Sequence, residues 1–217
     1  MEMPNARWLA AIFAVLLISA GIAPAQSTQS GNFSSYMLVL SYAPDFCAEP
    51  GGRKDPRECG SGRRIGFIVH GLWPQDDNSR GPEDCGGRPV SQAIIQATLN
   101  YIPIPSLIQH EWRSHGTCSG LSAADFFAAL RKARDSVNIP PDLNQPSQRL
   151  QLSPADVEGK LAAANPNFPA PAFRTSCYHD GELQEIRVCF NKDLSPRACG
   201  ASAGECRLPA MTLLPVR

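Results

Sequence analysis

Two of the chain's four histidines stand in one nine-residue stretch, H-E-W-R-S-H-G-T-C from His110 to Cys118, with Glu111 between them. Imidazoles and a carboxylate this close can bind a metal or move protons. Two zinc-binding histidines on one helix sit at i and i+4, one turn apart. Here they are at i and i+5, and the i+4 partner of His110 is Ser114. On a helix His110 and His115 would point about 140° apart, five steps of roughly 100°. The spacing instead aligns Glu111 with His115, and a neighbouring carboxylate favours the imidazolium form. The zinc-peptidase pattern is thereby excluded, and the arrangement suits acid–base work better than ligation.

A third histidine closes an apolar run. Ile65-Gly66-Phe67-Ile68-Val69 predicts a strand buried on both faces, ending at His70, with Gly71 turning the chain sharply before Leu72-Trp73-Pro74. Such a histidine is held rigidly below and is open above, as active-site residues often are. The residues alone also allow a satisfied structural histidine. Trp73 reads either as core packing or as a surface on which a base stacks. The fourth, His179, adjoins Asp180-Gly181 and is expected to be an exposed turn residue.

The elements that must position these groups follow from pattern. Met37-Leu38-Val39-Leu40 predicts another buried strand. Ile94, Ile95, Leu99 and Ile102 predict a helix from Ser91 to Ile102, stopped by Pro103. Ser122 caps a second helix, with Asp125 three residues on, ahead of Phe126, Phe127, Leu130 and Val137. Ser153-Pro154 opens a third that closes before Asn165-Pro166. Phe173 to His179 and Glu182 to Phe190 flank Asp180-Gly181 as a hairpin. Trp112, Phe126 and Phe127 are expected in the core. Strands and helices do not alternate regularly, so the fold class is α+β rather than doubly wound.

A chain of 217 residues forms one large domain or two small ones. Arg7, the apolar run Trp8 to Ala20 and Ala23-Pro24-Ala25 predict a secretory signal peptide over residues 1–25, cleaved before Gln26. The run is short for a membrane span. No linker divides the remainder, residues 26–217, which is expected to be one domain. All eight cysteines lie there, with no C-x-x-C pair. In an exported protein an even count favours disulfides, and counting leaves their pairing open. Net charge is zero, so no global field draws the protein to nucleic acid or membrane, and attraction to a polyanion has to be local. Asn32-Phe33-Ser34 is a glycosylation sequon.

The pair F-I-V-H-G-L-W-P (67–74) and H-E-W-R-S-H-G-T-C (110–118), in this order, resembles the two active-site segments of the ribonuclease T2 family. Y-M-L-V-L-S-Y-A-P-D-F-C (36–47) resembles the family's first strand and following loop, and the last four cysteines have a similar nested spacing. The resemblance implies a central antiparallel sheet flanked by helices and stapled by disulfides, pairing Cys47–Cys59, Cys85–Cys118, Cys177–Cys206 and Cys189–Cys199. It implies metal-free, cofactor-free cleavage of single-stranded RNA through a 2′,3′-cyclic phosphate to 3′-phosphate ends. The protein would be a monomeric exported endoribonuclease of the periplasm or the extracellular space.

By the same resemblance His115 is the base, His70 the acid and His110 a phosphate ligand, while Glu111 orients or tunes the imidazoles. Trp73, Arg113 and Gln75 join the substrate-binding set. Two positions depart from the family's pattern. Ser114 stands where a lysine usually precedes the last histidine, and Gln75 stands where some members carry an acidic residue. The first lends weight to a rival reading, a weak or inactive RNA-binding or interaction protein on the same fold.

Overall fold

The computed structural model describes residues 30–50, 54–77 and 79–216, together with Met1. Apart from Met1, the segment assigned to a signal peptide lies outside the described residues. In chain order come β1 (Ser35–Tyr42), α1 (Ala43–Ala48), α2 (Pro56–Cys59), β2 (Phe67–Gln75), α3 (Gln92–Thr98), α4 (Pro105–Ser114) and α5 (Ala123–Asp135). Then follow α6 (Pro141–Asn144), β3 (Leu150–Leu152), α7 (Pro154–Ala164), β4 (Phe173–Cys177), β5 (Leu183–Asn191) and β6 (Met211–Leu213). The main sheet has the order β2-β1-β5-β4, with every neighbouring pair antiparallel, and β3 pairs with β6 in a small second sheet. Antiparallel strands with helices beside them make the fold α+β. Among the described residues no helix is long and apolar enough to cross a membrane.

The sheet has a core face and a site face. Leu38, Leu40 and Tyr42 of β1, Val69 and Leu72 of β2, and Ile186, Val188 and Phe190 of β5 point into the main core, where α5 adds Phe126, Phe127 and Leu130. On the other face Met37 and Val39 pack with Cys189 and Ala203, joined in part by Trp73 and Cys199. Central strand β1 is thus buried on both faces, which explains its unbroken apolar run.

The three long helical patterns form as their caps direct. Ser91, Ser122 and Ser153 each accept from the backbone N–H three residues on, and Ser153 with Asp156 completes a capping box. The first helix stops at Thr98, short of the expected Ile102. The amides of Tyr101 and Ile102 fold back onto the Thr98 carbonyl, and the Tyr101 carbonyl accepts the Val69 N–H at 3.0 Å. That bond partly covers the outer edge of β2. Gly181, at φ +96°, makes the β4–β5 turn. Disulfides join Cys47 to Cys59, Cys85 to Cys118, Cys177 to Cys206 and Cys189 to Cys199.

One strand departs from its sequence reading in a way that shapes the site. The second strand does not end at His70 with a turn at Gly71; β2 runs on to Gln75. Val39 pairs with Gly71 and Leu40 with Val69, so His70 is the extra residue of a β-bulge. In a regular strand His70 and Trp73, three apart, would face opposite sides. The bulge shifts the phase, leaving Leu72 in the core and turning both His70 and Trp73 to the site face.

Candidate active site

Two imidazoles converge on one buried carboxylate, and a third lies beside them. His70 comes from the bulge of β2, and His110 and Glu111 from the last turns of α4. Glu111 is fully buried. Its Oε2 accepts from Trp73 Nε1 at 2.8 Å. Its Oε1 has no hydrogen-bond partner among the described residues, and lies 3.6 Å from His70 Nε2 and 3.9 Å from His110 Nε2. The carboxylate thus keeps one oxygen aimed between two imidazole nitrogens. Gly71 makes this possible: a Cβ there would overlap both Glu111 Oε2 and Trp73 Nε1. The glycine serves close approach, not a turn.

The expected Glu111–His115 pair does not form. Helix α4 stops at Ser114, and His115 is its C-cap at φ −121° and ψ −48°. The i, i+4 alignment fails because the last residue has left the helix. His115 instead stacks on Trp73, with ring centroids 4.9 Å apart and planes at 26°. Gly116 follows it because a Cβ there would strike Trp112 and Phe126, and the Cys85–Cys118 disulfide anchors the turn. With no carboxylate in contact, burial and the charges of His110 and His70 press the His115 pKa down to about 4. This is opposite to what the helical spacing predicts.

His70 is held the other way. Burial alone would lower its pKa, but the Nδ1 bond to Glu185 Oε1 at 2.9 Å, with Glu111 and Glu58 nearby, outweighs burial and holds it above the usual value. Burial pushes Glu111 up to about 7, against the pull of His70 and Trp73. His110 is lowered by burial and by the charges of Arg113 and His70. Its Nδ1 lies 3.2 Å from Arg113 Nη2. A guanidinium only donates, so that nitrogen accepts, and neutral His110 carries its proton on Nε2, facing Glu111. One imidazole is therefore poised charged and its neighbours neutral.

The other candidates divide. Trp73 is a packed strut between Glu111 and His115. Arg113 reaches His110 rather than the position beside His115. Ser114, at the family's lysine position, donates from Oγ to Asp84 Oδ1 at 3.2 Å, and its carbonyl accepts the Asp84 N–H at 2.8 Å. A carboxylate thus stands near a place where a cation is usual. Gln75 is not brought to the histidines; at the end of β2 it borders a separate small depression with Asp77 and Arg197. Trp112 is buried in the core, as expected.

Sequence reading missed Glu185, Glu58 and Asp84. A glutamate inside the apolar strand Leu183–Asn191 is itself a signal, but its partner lies 115 residues away and follows only from the sheet. Glu58 lines a cavity of about 710 Å³ with Ser41, Phe46, Lys54 and Leu107, opening onto His70 and His110. Burial pushes its pKa up to about 7. Among the described residues the only triad of candidate metal-binding side chains is Glu49, Asp180 and Glu182, which contains no histidine.

The comparisons with known proteins bear on the family and the fold. A ribonuclease of Aeromonas hydrophila is 30% identical over 171 residues, covering 76% of this chain and 75% of its own. A probable ribonuclease of Haemophilus influenzae is 30% identical over 177 residues, covering 76% of this chain and 60% of its own. Among solved structures, an RNase-related protein from Calystegia sepium superposes with a TM-score of 0.69 at 19% identity, over 85% of this chain and 98% of that one. A point mutant of RNase MC1 in complex with 5′-UMP does so with 0.64 at 25% identity, over 82% and 97%. The Ribonuclease T2 family itself matches residues 33–199, and with motifs, sheet and histidine cluster in agreement, the chain belongs to that family.

Proposed function

We propose that the protein is an endoribonuclease that cleaves single-stranded RNA by moving protons among these imidazoles, without a metal. The observation that carries the reading is the convergence of His70 Nε2 and His110 Nε2 on one unpartnered oxygen of Glu111, with His115 stacked on Trp73 alongside. In-line transesterification needs a base, an acid and stabilisation of the phosphorane. Neutral His115 takes the proton of the ribose 2′-hydroxyl, whose oxygen then attacks its own 3′-phosphate. Protonated His70 gives its Nε2 proton to the departing 5′-oxygen, leaving a 2′,3′-cyclic phosphate. Water then opens the ring with the two histidines in exchanged roles, giving a 3′-phosphate. His110 donates from Nε2 to a phosphate oxygen, with the Arg113 charge behind it. Lys54 and the cavity lined by Phe46 and Leu107 offer the local attraction that a neutral chain needs.

The test uses purified, oxidised protein with excess EDTA and a matched pair of oligonucleotides, RNA and 2′-deoxy. Cleavage of RNA alone, with 2′,3′-cyclic ends appearing before 3′-phosphates, is the expected result; cleavage of the deoxy strand, or dependence on an added divalent ion, would refute it. The Ser114–Asp84 contact favours a second reading, a binding protein of low turnover. RNA bound and left intact by folded protein would establish that one instead.

We also infer export, from the leader pattern of residues 1–25 and four disulfides, which form in oxidising compartments. The exported fraction is expected to have a mass that begins at Gln26; an intact mass including Met1 would count against it.

A further inference from the structure

His70 is the one imidazole gripped from behind, and the grip crosses a strand. Glu185 lies on β5, opposite Ser41 of β1, and Ser41 in turn pairs with Ile68 of β2. The two side chains therefore meet over the central strand, across two strand spacings of roughly 10 Å. The β1 residue opposite Glu185 on this face is the small Ser41.

Glu185 is itself clamped. Its Oε2 accepts from Arg187 Nε at 3.0 Å and Nη2 at 2.9 Å, and the Ser176 hydroxyl lies 3.5 Å away. Arg187 Nη1 donates to the Ala203 carbonyl at 2.6 Å. Ala203 sits in the C-terminal segment fenced by the Cys189–Cys199 and Cys177–Cys206 disulfides. Glu185 is only 4% exposed, so this chain of contacts leaves it one free direction, toward His70 Nδ1.

We propose that Glu185, clamped by Arg187, is the positioning residue of His70: it fixes the ring with Nδ1–H turned inward and Nε2 presented to the leaving oxygen. This rests on the reading of His70 as the acid. A carboxylate is required, because each oxygen has a separate duty, one to His70 and one to the arginine fork. A glutamine has one acceptor and cannot serve both. Other groups also face His70: Glu58 from α2, Glu111 and His110 from α4, His115 just beyond it, and Arg187 from β5. Of these, Glu185 alone bonds the ring nitrogen away from the substrate.

The experiment compares Glu185→Gln, Glu185→Asp and Arg187→Gln on a dinucleotide and on a uridine 3′-aryl phosphodiester, whose leaving group needs no proton. The His70 Cε1–H is followed by NMR titration in the same proteins. Glu185→Gln is expected to lower kcat on the dinucleotide by about 10- to 100-fold, the scale of a mispositioned catalytic group, with KM within about twofold. The aryl ester is expected to be cleaved at near wild-type rate. The alkaline limb of the pH profile and the His70 titration both move to lower pH. Glu185→Asp restores the limb, because the charge is kept. Arg187→Gln keeps His70 protonated yet lowers kcat on the dinucleotide.

An unchanged His70 titration in Glu185→Gln, or equal losses on both substrates, would overturn the proposal. If His70→Asn cleaves the dinucleotide normally, the acid reading fails instead. The NMR titration judges Glu185 in either case.

Discussion

His115→Ala is expected to lower kcat/KM by about 10²- to 10⁴-fold, the range that general acid–base groups contribute, on both a dinucleotide and an aryl phosphodiester. The 2′-hydroxyl must be deprotonated whichever group leaves, so a better leaving group cannot rescue the loss of the base. His70→Asn behaves differently. It is expected to lose a similar factor on the dinucleotide and to recover most of it on the aryl ester, since the phenolate departs without a proton. Asparagine is chosen because its amide N–H can still donate to Glu185, which alanine cannot do, so less of the buried polar cluster is left unpaired. Equal recovery in both variants, or in neither, would sink the split of roles.

The same assignment sets the pH profile. The base must be neutral, and His115 is pressed down to about 4, so wild-type kcat/KM rises through that pH and is already full in mildly acidic solution. The acid must be charged, and His70 is held above the ordinary histidine value, so activity falls only above about 6.5. Loss of His115 removes the acid limb and loss of His70 the alkaline one. A profile whose acid limb stays in place in His115→Ala would show that another group is the base.

What the sequence disclosed, and what it hid, follows from the range of each interaction. The capping serines and the hairpin at Asp180-Gly181 are legible because each is encoded within a few residues. The grouping of His70 with His110, Glu111 and His115, about 40 residues further on, is implied only by the family resemblance of the two segments. The partners inside the site are not legible. Glu111 was aligned with His115 by helical spacing, but the helix ends one residue too soon, and Glu111 meets His70 and Trp73 instead. His70 reads as a strand end because a glycine follows it, whereas only the register with β1 reveals a bulge. Glu185 reads as an odd charge in an apolar strand until β1 and β5 pair and place it over Ser41. The surroundings of the candidate residues are thus set by where α4 ends and by long-range register. Local motifs supply candidates, and the sheet assigns their environments.

Gly71 tests that claim, since it is a residue with no chemistry of its own. Gly71→Ala is expected to cost about 2–4 kcal/mol, combining overpacking of about 1–3 kcal/mol with about 1 kcal/mol from strain on the buried Trp73–Glu111 bond. For a chain of this size that lowers Tm by about 4–16 °C. The backbone is not the cause, because Gly71 is absent from the residues at positive φ. The added methyl would drive against Glu111 Oε2 and Trp73 Nε1, neither of which is a loose side-chain end. Displacing Trp73 also moves the surface on which His115 stacks, and a shift near 1 Å at a catalytic group costs about 10²-fold in rate. A double-mutant cycle with Trp73→Phe separates the causes. Phenylalanine removes Nε1 and shortens the ring, so it is expected to recover part of the lost stability in the Gly71→Ala background while lowering it in the wild type. The coupling between the two sites should then lie well outside the few tenths of a kcal/mol typical of independent positions. Simple additivity, or a Gly71→Ala protein with wild-type Tm and kcat, would mean that the Glu111–Trp73 bond does not need the space the glycine leaves it.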